Sequence, residues 1–182
     1  KIAGHFARMP EKRSDEKRIW FHAASVGELE SLWPVVERAT RERTNRIALT
    51  VFSSSAWNHL HKMARKLEGA PLLYIGYSPL EGGWRPALAA AAPDLFVTAK
   101  YEAWPEIWDS LAGLSVPLAI IGAKPRSSVL WAKRILGFLR GAIPQILFFS
   151  FDPENEPGLA RRFPAAKLHH GSDPRWDRVF QR

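Results

Sequence analysis

The stretch "RIWFHAASVGELESLWPVVERATRER", residues 18–43, contains the unit that decides the fold of this chain. It opens with the apolar run "RIWFHA", which favours a buried β-strand. Small and polar residues follow, and apolar residues then recur at helical spacing, as Leu29, Leu32 and Val36 do. The stretch therefore predicts a strand, a short loop and a helix, which Pro34 is expected to kink or restart.

The same unit recurs along the whole chain. Short apolar runs predict strands at 18–23, 46–52, 71–77, 94–99, 117–123 and 145–151. Helical patterns lie between or after them, at 27–43, 54–69, 81–92, 104–114, 127–141 and 155–163. This alternation predicts an α/β fold, a Rossmann-like parallel sheet with helices on both faces. On the fourth helix, Trp104 and Trp108 are expected in the core rather than in a cleft or at a membrane.

Composition bounds the possible partners. The chain has 182 residues, with 26 Lys and Arg against 18 Asp and Glu, so its formal net charge is +8. This excess favours anionic partners such as a phosphorylated lipid or an anionic membrane face, although scattered basic residues also suit a solvated surface. No nucleic-acid-binding motif is present, so nucleic acid is not predicted as a partner. No apolar run reaches the roughly 18–20 residues of a membrane-spanning helix.

Several site chemistries have no signal in the sequence. Cysteine is absent, which leaves no disulfide or thiolate metal site. Neither a G-x-G-x-x-G nor a P-loop motif occurs, and there is no G-x-S-x-G or H-E-x-x-H pattern. We therefore predict no cofactor and no metal, and we expect the histidines in surface or core roles.

Polar and small residues follow each predicted strand. The segments are "ASVGE", "FSSS", "YSPLEGG", "KYEAWPE" and "GAKPRSS". Ligands of open parallel sheets bind beyond the carboxyl ends of the strands. These loops therefore indicate a binding rim for a polar ligand.

Glu28 stands in the first of these loops and admits two interpretations. With Ser25 it forms the S-x-x-E pattern of a capping box, which satisfies free N–H groups at a helix start. Alternatively it is a general base, displayed at the end of a strand beside Gly27, whose missing side chain would allow close approach of a substrate. Spacing favours the cap and leaves the base open.

Five segments together resemble the Kdo (3-deoxy-D-manno-octulosonic acid) transferases. "IWFHAASVGELES" is similar to their W-x-H-x-x-S-V-G-E, "LTVFSSSAW" to T-x-[TS]-x-[TS]-G, and "YSPLE" to Y-x-P-x-D. "KYEAWPEIW" resembles E-x-E-x-W-P-N, and "SDPRWDRV" resembles the G-D-T-R-F-D-R-V variant at the link between their two domains. The matches run in family order from about residue 18 to 179, which makes the set more specific than any one motif.

The resemblance implies the N-terminal, acceptor-binding half of a GT-B glycosyltransferase. Residues 1–170 would be this Rossmann-like domain, and 171–182 would begin the crossover to a C-terminal donor domain that the sequence lacks. Glu28 would be the catalytic base, with Ser25 and Gly27 beside it. Other implied acceptor-binding residues, at positions matching the family motifs or close to them, are Ser53, Tyr77, Lys100, Glu102 and Lys124. Arg175 would lie at the donor or interdomain side.

The implied reaction transfers Kdo from CMP-Kdo to a lipid A precursor in lipopolysaccharide biosynthesis. The protein would act at the cytoplasmic face of the bacterial inner membrane as a peripheral protein, without a cofactor, and this chain alone would be inactive. The chain departs from the family at several positions: Lys100 replaces the first Glu of E-x-E, Gly122 replaces an Asn, Lys124 stands where Arg is expected, and Ser172 replaces the Gly of the link. These changes keep open an alternative, a non-catalytic relative that binds an anionic glycolipid or a protein partner.

Overall fold

Seven parallel strands form one sheet in the part of the chain that the structure describes. The structure, a computed structural model, describes residue 6 and residues 9–67, 69–100, 102–125 and 127–174. The strands are β1 Lys17–Ala23, β2 Asn45–Val51, β3 Leu72–Tyr77, β4 Leu95–Ala99, β5 Leu118–Ile121, β6 Ile146–Ser150 and β7 Lys167–His170. Their order across the sheet is β3-β2-β1-β4-β5-β6-β7.

Six α-helices connect these strands within the described ranges. They are α1 Val26–Thr40, α2 Ser54–Ala64, α3 Trp84–Ala91, α4 Pro105–Gly113, α5 Ser127–Leu139 and α6 Glu156–Arg162. None of the helices in the described residues combines the length and the apolar character needed to cross a membrane.

The helices cover both faces of the sheet, and two separate cores result. Neighbouring side chains of a strand point to opposite faces, so Trp20 and Phe21 of β1 enter different cores. On one face α1 and α2 bury residues such as Leu32 and Leu60 against the sheet. On the other face α3 to α6 pack around Trp20, through residues such as Trp108. Burial on both faces explains why the strands read as continuous apolar runs.

The sequence predictions of the elements are confirmed, with ends displaced by a few residues. Two differences have physical reasons. Helix α1 runs continuously through Pro34 and is not restarted there, because buried Leu29, Leu32, Trp33 and Val36 anchor it on both sides of the proline. A seventh strand, β7, was not predicted because "KLHH" is short, polar and largely exposed at the sheet edge.

The order in which the parallel strands are added to the sheet reverses between β1 and β4. From β1 the chain builds outward through β2 and β3, then returns to place β4 on the free side of β1. Ligands of such sheets bind in the crevice where the strand order reverses, at the carboxyl ends. The loops after β1 and β4 are therefore the first place to look for a site. The predicted boundary at residue 170 stays a prediction.

Candidate functional site at the switch between β1 and β4

The loop after β1 presents Glu28 in the first turn of α1. Glu28 Oε2 accepts hydrogen bonds from the backbone N–H groups of Ala24, at 2.8 Å, and Ser25, at 3.0 Å. The Ser25 hydroxyl in turn accepts from the backbone N–H of Glu28, at 3.4 Å, which completes the capping box. The predicted cap is therefore confirmed. Both hydrogen bonds from the backbone are made to Oε2, and Glu28 is 8% exposed.

The loop after β4 brings a second carboxyl group to Glu28. The Glu102 side chain lies close enough to that of Glu28 to form a hydrogen bond when one of the two is protonated, and their charges repel each other when both are ionised. Burial, followed by the charge of Glu28 and this hydrogen bond, raises the pKa of Glu102 to about 7, against an opposing hydrogen bond from Trp104. At pH 7 Glu102 is therefore about half protonated, because two adjacent carboxylates resist ionising together.

Trp104 supports this pair from the start of α4. Its indole Nε1–H donates to Glu102 Oε2, and its ring lies 6.2 Å from the Phe52 ring, centroid to centroid. Trp104 is 49% exposed, so the expectation of a core position is wrong for it, whereas Trp108 is buried in the core as expected. The difference follows from position: Trp104 precedes the first helical residue, Pro105, and points away from the packed side of α4.

Lys100 closes the site from the end of β4. Its backbone has φ of 58°, a left-handed conformation that directs the chain into the Glu102 loop. Its Nζ donates to the Gly27 carbonyl oxygen at 3.3 Å. A Cβ added at Gly27 would lie 4.0 Å from this Nζ, an ordinary contact distance, and the close approach of a substrate at Gly27 stays a prediction.

A cavity of about 380 Å³ adjoins Lys100. Lys124, Gly122 and Asp152 contribute to its lining, from the carboxyl ends of β5 and β6. Gly122 has φ of 67°, and a Cβ there would lie 3.0 Å from the Phe151 ring. A side chain at this position would therefore be strained and crowded. Its lining holds two lysines, Lys100 and Lys124, and two carboxylates, Asp152 and Asp173, so its formal charges balance.

The remaining predicted residues lie further along the rim or outside the description. Ser53 caps α2, where its hydroxyl accepts from the Ala56 N–H at 3.2 Å. Tyr77, at the end of β3, packs on Trp57 with ring centroids 5.1 Å apart. Arg175 lies outside the described residues. The structure thus groups Ser25, Gly27, Glu28, Lys100 and Glu102 at the switch, with Lys124 across the adjoining cavity.

An apolar groove beside the carboxyl pair was not predicted. It has a volume of about 840 Å³ and is lined by side chains including Phe52, Trp84, Trp104 and Trp131. His22 lies in its lining, and burial lowers the pKa of this imidazole to about 4, so it is neutral at pH 7. The sequence carried one usable signal: His22 shares a strand face with the core residue Trp20, two positions earlier.

No cluster of three or more His, Asp or Glu side chains in the described ranges could hold a metal ion. The groups gathered at this edge of the sheet are the carboxyl pair, the two lysines, the backbone at the start of α1 and the aromatic groove. This set can bind an anionic, partly apolar molecule and can accept a proton from it.

Comparison with known proteins places this geometry in a family. The family described as 3-deoxy-D-manno-octulosonic-acid transferase (kdotransferase) matches residues 1–168. A probable mitochondrial 3-deoxy-D-manno-octulosonic acid transferase of Arabidopsis thaliana is 23% identical over 150 residues, which cover 72% of this chain. The chain spans 31% of that plant relative's length.

Among solved structures, the UDP-GlcNAc 2-epimerase of Neisseria meningitidis bound to UDP-GlcNAc matches with a TM-score of 0.63 and 12% identity. The match covers 90% of this chain and 49% of the epimerase chain. At that identity the likeness concerns the fold alone, and it confirms the Rossmann-like sheet predicted from the sequence.

Proposed function

The chain belongs to the 3-deoxy-D-manno-octulosonic-acid transferase family, and from this premise we propose that it is the acceptor-binding part of a Kdo transferase. In this proposal the whole protein is a GT-B glycosyltransferase that moves Kdo from CMP-Kdo to a lipid A precursor. The donor-binding half lies outside this chain, so the chain alone is inactive.

The proposed reaction is a displacement at the anomeric carbon of Kdo. A hydroxyl oxygen of the lipid acceptor forms the new glycosidic bond, and the bond from Kdo to the CMP phosphate breaks. CMP leaves with the bonding electron pair, and Glu28 takes the proton of the attacking hydroxyl. Ser25 helps to position that hydroxyl, and no metal or cofactor takes part.

The observation that carries the proposal is the pairing of Glu28 with Glu102 at the switch point. Protonated Glu102 donates a hydrogen bond to Glu28 and leaves Glu28 as the carboxylate of the pair. The backbone N–H groups that hold Oε2 fix the orientation of that carboxylate before a substrate arrives. A fixed base within reach of the acceptor hydroxyl is what proton abstraction requires.

Lys100 and Lys124 supply the proposed contacts to acidic groups of the acceptor. Both line the cavity beside the carboxyl pair, and a lysine can bind a phosphate as a point charge. Ser53 and Tyr77 extend the acceptor surface along the rim, and Arg175 serves the donor side. The net charge of +8 suits a peripheral protein at the cytoplasmic face of the bacterial inner membrane.

The decisive variant is Glu28→Gln in the complete protein. Glutamine at this helix position still accepts backbone N–H groups, so the capping box survives while the base is lost. We expect transfer from CMP-Kdo to a lipid A precursor to fall by about 10²- to 10⁴-fold, with little change in melting temperature.

Glu42→Gln makes the same chemical change at an exposed surface position and serves as the control. It should leave both transfer and stability unchanged. Undiminished transfer by Glu28→Gln would show that Glu28 is only a cap.

A second function is favoured by one feature, the Lys100 Nζ that sits over Gly27 next to Glu28. Here a non-catalytic relative would hold an anionic glycolipid or a protein partner through the same rim. This second function predicts that the complete natural protein binds the lipid A precursor and never releases CMP from CMP-Kdo. Turnover by that protein rules this function out.

A further inference from the structure

His22 of β1 is a buried polar side chain that the proposed reaction does not use. It is 2% exposed and lies in the lining of the apolar groove. Its ring stands edge-on to the ring of Trp84, with centroids 5.0 Å apart. Trp104 and Trp131 line the same groove but are exposed, so they stand at its mouth. His22 therefore lies at the floor of the groove.

One ring nitrogen of His22 is bound within the sheet. Nδ1 lies 3.0 Å from Thr50 Oγ1 on the neighbouring strand β2. This hydroxyl accepts from the Trp20 indole N–H at 2.9 Å and donates to the Phe21 carbonyl oxygen at 3.4 Å. A hydroxyl has one proton to donate, so the proton between Thr50 and His22 belongs to Nδ1. In this tautomer of the neutral imidazole, Nε2 carries a lone pair and is an acceptor.

The second ring nitrogen, Nε2, is open to the groove. Within the residues that the structure describes, no group is hydrogen-bonded to it. In the same part of the chain, the fully buried side-chain atoms without a partner are Thr98 Oγ1 and Trp108 Nε1, so Nε2 is not closed off. The space that His22 lines is the groove. An acceptor in apolar surroundings costs free energy until a donor reaches it, so this floor favours a ligand that brings a donor.

The charges on the groove disfavour an anionic group at its floor. His22 is neutral at pH 7, because burial lowers its pKa to about 4. The described lining includes the carboxylates of Glu81, Glu106 and Asp109 beside one arginine, Arg140. An ionised carboxylate at the floor would be repelled by these groups and would have no proton to donate to Nε2. The complementary group is a neutral donor, and a hydroxyl is the simplest one.

The walls of the groove favour an apolar body for the same ligand. Phe52, Trp84 and Trp131 are among the side chains that form them. The volume of about 840 Å³ falls within the range of roughly 300–1,000 Å³ that is usual for small-molecule pockets. Apolar walls supply most of the contact area of such pockets, and a few placed polar groups fix the orientation of the ligand. An aliphatic chain with a hydroxyl meets both conditions.

We infer that the groove binds an aliphatic chain that bears a hydroxyl, and that His22 Nε2 accepts a hydrogen bond from this hydroxyl. The chain packs along Trp84 and leaves between Trp104 and Trp131. The inference rests on the proposed function for its natural ligand, an apolar part of the acceptor, whereas the binding itself needs no transfer. Because Trp104 also donates to Glu102, a chain in the groove contacts the support of the carboxyl pair.

Titration calorimetry of the complete protein with three compounds of equal chain length tests the inference. Octanol has a proton to donate, octyl methyl ether has none, and octanoate is ionised at pH 7. We expect octanol to bind about 2- to 10-fold more tightly than the ether, the usual gain from one hydrogen bond between neutral groups. Octanoate should bind more weakly than octanol. Equal affinities for octanol and the ether would overturn the inference.

Two variants of His22 separate the ligand contact from the contact within the sheet. In His22→Asn, the amide nitrogen takes the place of Nδ1 and can still donate to Thr50, but no acceptor reaches the groove. In His22→Gln, the longer side chain can place its amide oxygen where Nε2 stands. We expect His22→Asn to bind octanol and the ether alike, and His22→Gln to keep the preference for octanol. An undiminished preference in His22→Asn would contradict the inference.

The natural protein gives a second readout that needs no variant to fold. Magnetic resonance spectra of isotope-labelled histidine rings distinguish a proton on Nδ1 from one on Nε2. For His22 we expect the proton on Nδ1, and a shift of the Nε2 signal on addition of octanol but not of the ether. A proton on Nε2 would overturn the inference. No measurement here contains CMP-Kdo or a lipid A precursor, so its failure is distinguishable from failure of the proposed transfer, which Glu28→Gln tests.

Discussion

At the scale of the residue, two carboxyl groups divide the work of the site. Glu28 is held by two backbone N–H groups, which fix the position of its carboxyl group. Glu102 is held by burial and by the charge of Glu28, which favour its protonated form. Two neighbouring carboxyl groups whose surroundings differ in this way are a recurring arrangement in enzymes that transfer protons.

The raised pKa of Glu102 has a consequence for stability. Its pKa is about 7 in the folded protein against 4.5 ordinarily, so the folded state binds this proton more tightly. The stabilisation is fully present below about pH 4.5 and is lost as pH rises through 7. In Glu102→Gln the amide stands in for the protonated carboxyl at every pH. As pH rises from 5 to 8, we expect the free energy of unfolding of this variant to increase relative to that of the natural protein by up to about 3 kcal/mol.

Urea unfolding of both proteins across this pH range measures the difference. His22, with its pKa lowered to about 4, makes the opposite contribution, present above 6.5 and lost as pH falls. Both proteins contain His22, so its contribution cancels in the comparison. A difference that stays constant from pH 5 to 8 would mean that Glu102 does not share a proton with Glu28.

At the scale of the element, helix ends can be tested separately from the site. Helix α3 ends at Ala92, an exposed alanine with φ of 44°, where glycine is usual. Ala92→Gly should raise the free energy of unfolding by roughly 0.5–1 kcal/mol, because it relieves left-handed strain at some cost in unfolded-state entropy. Thermal or denaturant unfolding measures the change.

Ala90→Gly, at an exposed position inside the same helix, is the matched control. It should lower the free energy of unfolding by about 1 kcal/mol, the ordinary cost of glycine in a helix. Equal destabilisation of the two variants would show that residue 92 does not have the left-handed backbone conformation.

The sequence predicted the helices and strands more completely than the site that they form. Apolar periodicity reports burial, so it predicted the six buried strands β1 to β6, and S-x-x-E predicted the cap of α1. Periodicity says nothing about which loops meet. Glu102 reaches Glu28 because β4 returns beside β1, and 74 positions separate the two residues along the chain. The groove was missed for the same reason, since it combines five separate segments that include Phe52, Trp104 and Trp131.

At the scale of the whole molecule, the two faces of the sheet are used differently. Helices α1 and α2 cover one face and supply Glu28 and the Ser53 cap. Helices α3 to α6 cover the other, and there α5 also exposes an apolar outer side. The switch point lies where both arrangements meet, because Trp104 lines the groove beside α5 and donates a hydrogen bond to Glu102 of the carboxyl pair.

The chain covers 49% of the epimerase chain and 31% of the plant transferase, so a division of binding between two parts can be tested. We expect this chain alone to bind a detergent-dispersed lipid A precursor, since the carboxyl pair and both lysines lie in it. We expect it not to bind CMP, whose site would lie in the other half. Isothermal titration with each compound, for this chain and for the complete protein, measures both. Lys124→Ala should weaken lipid binding by about 2- to 10-fold in both, because it removes one exposed charge contact. Binding of CMP by the chain as tight as by the complete protein would place the donor site on this sheet, and the assignment of the groove and rim to the acceptor would then fail.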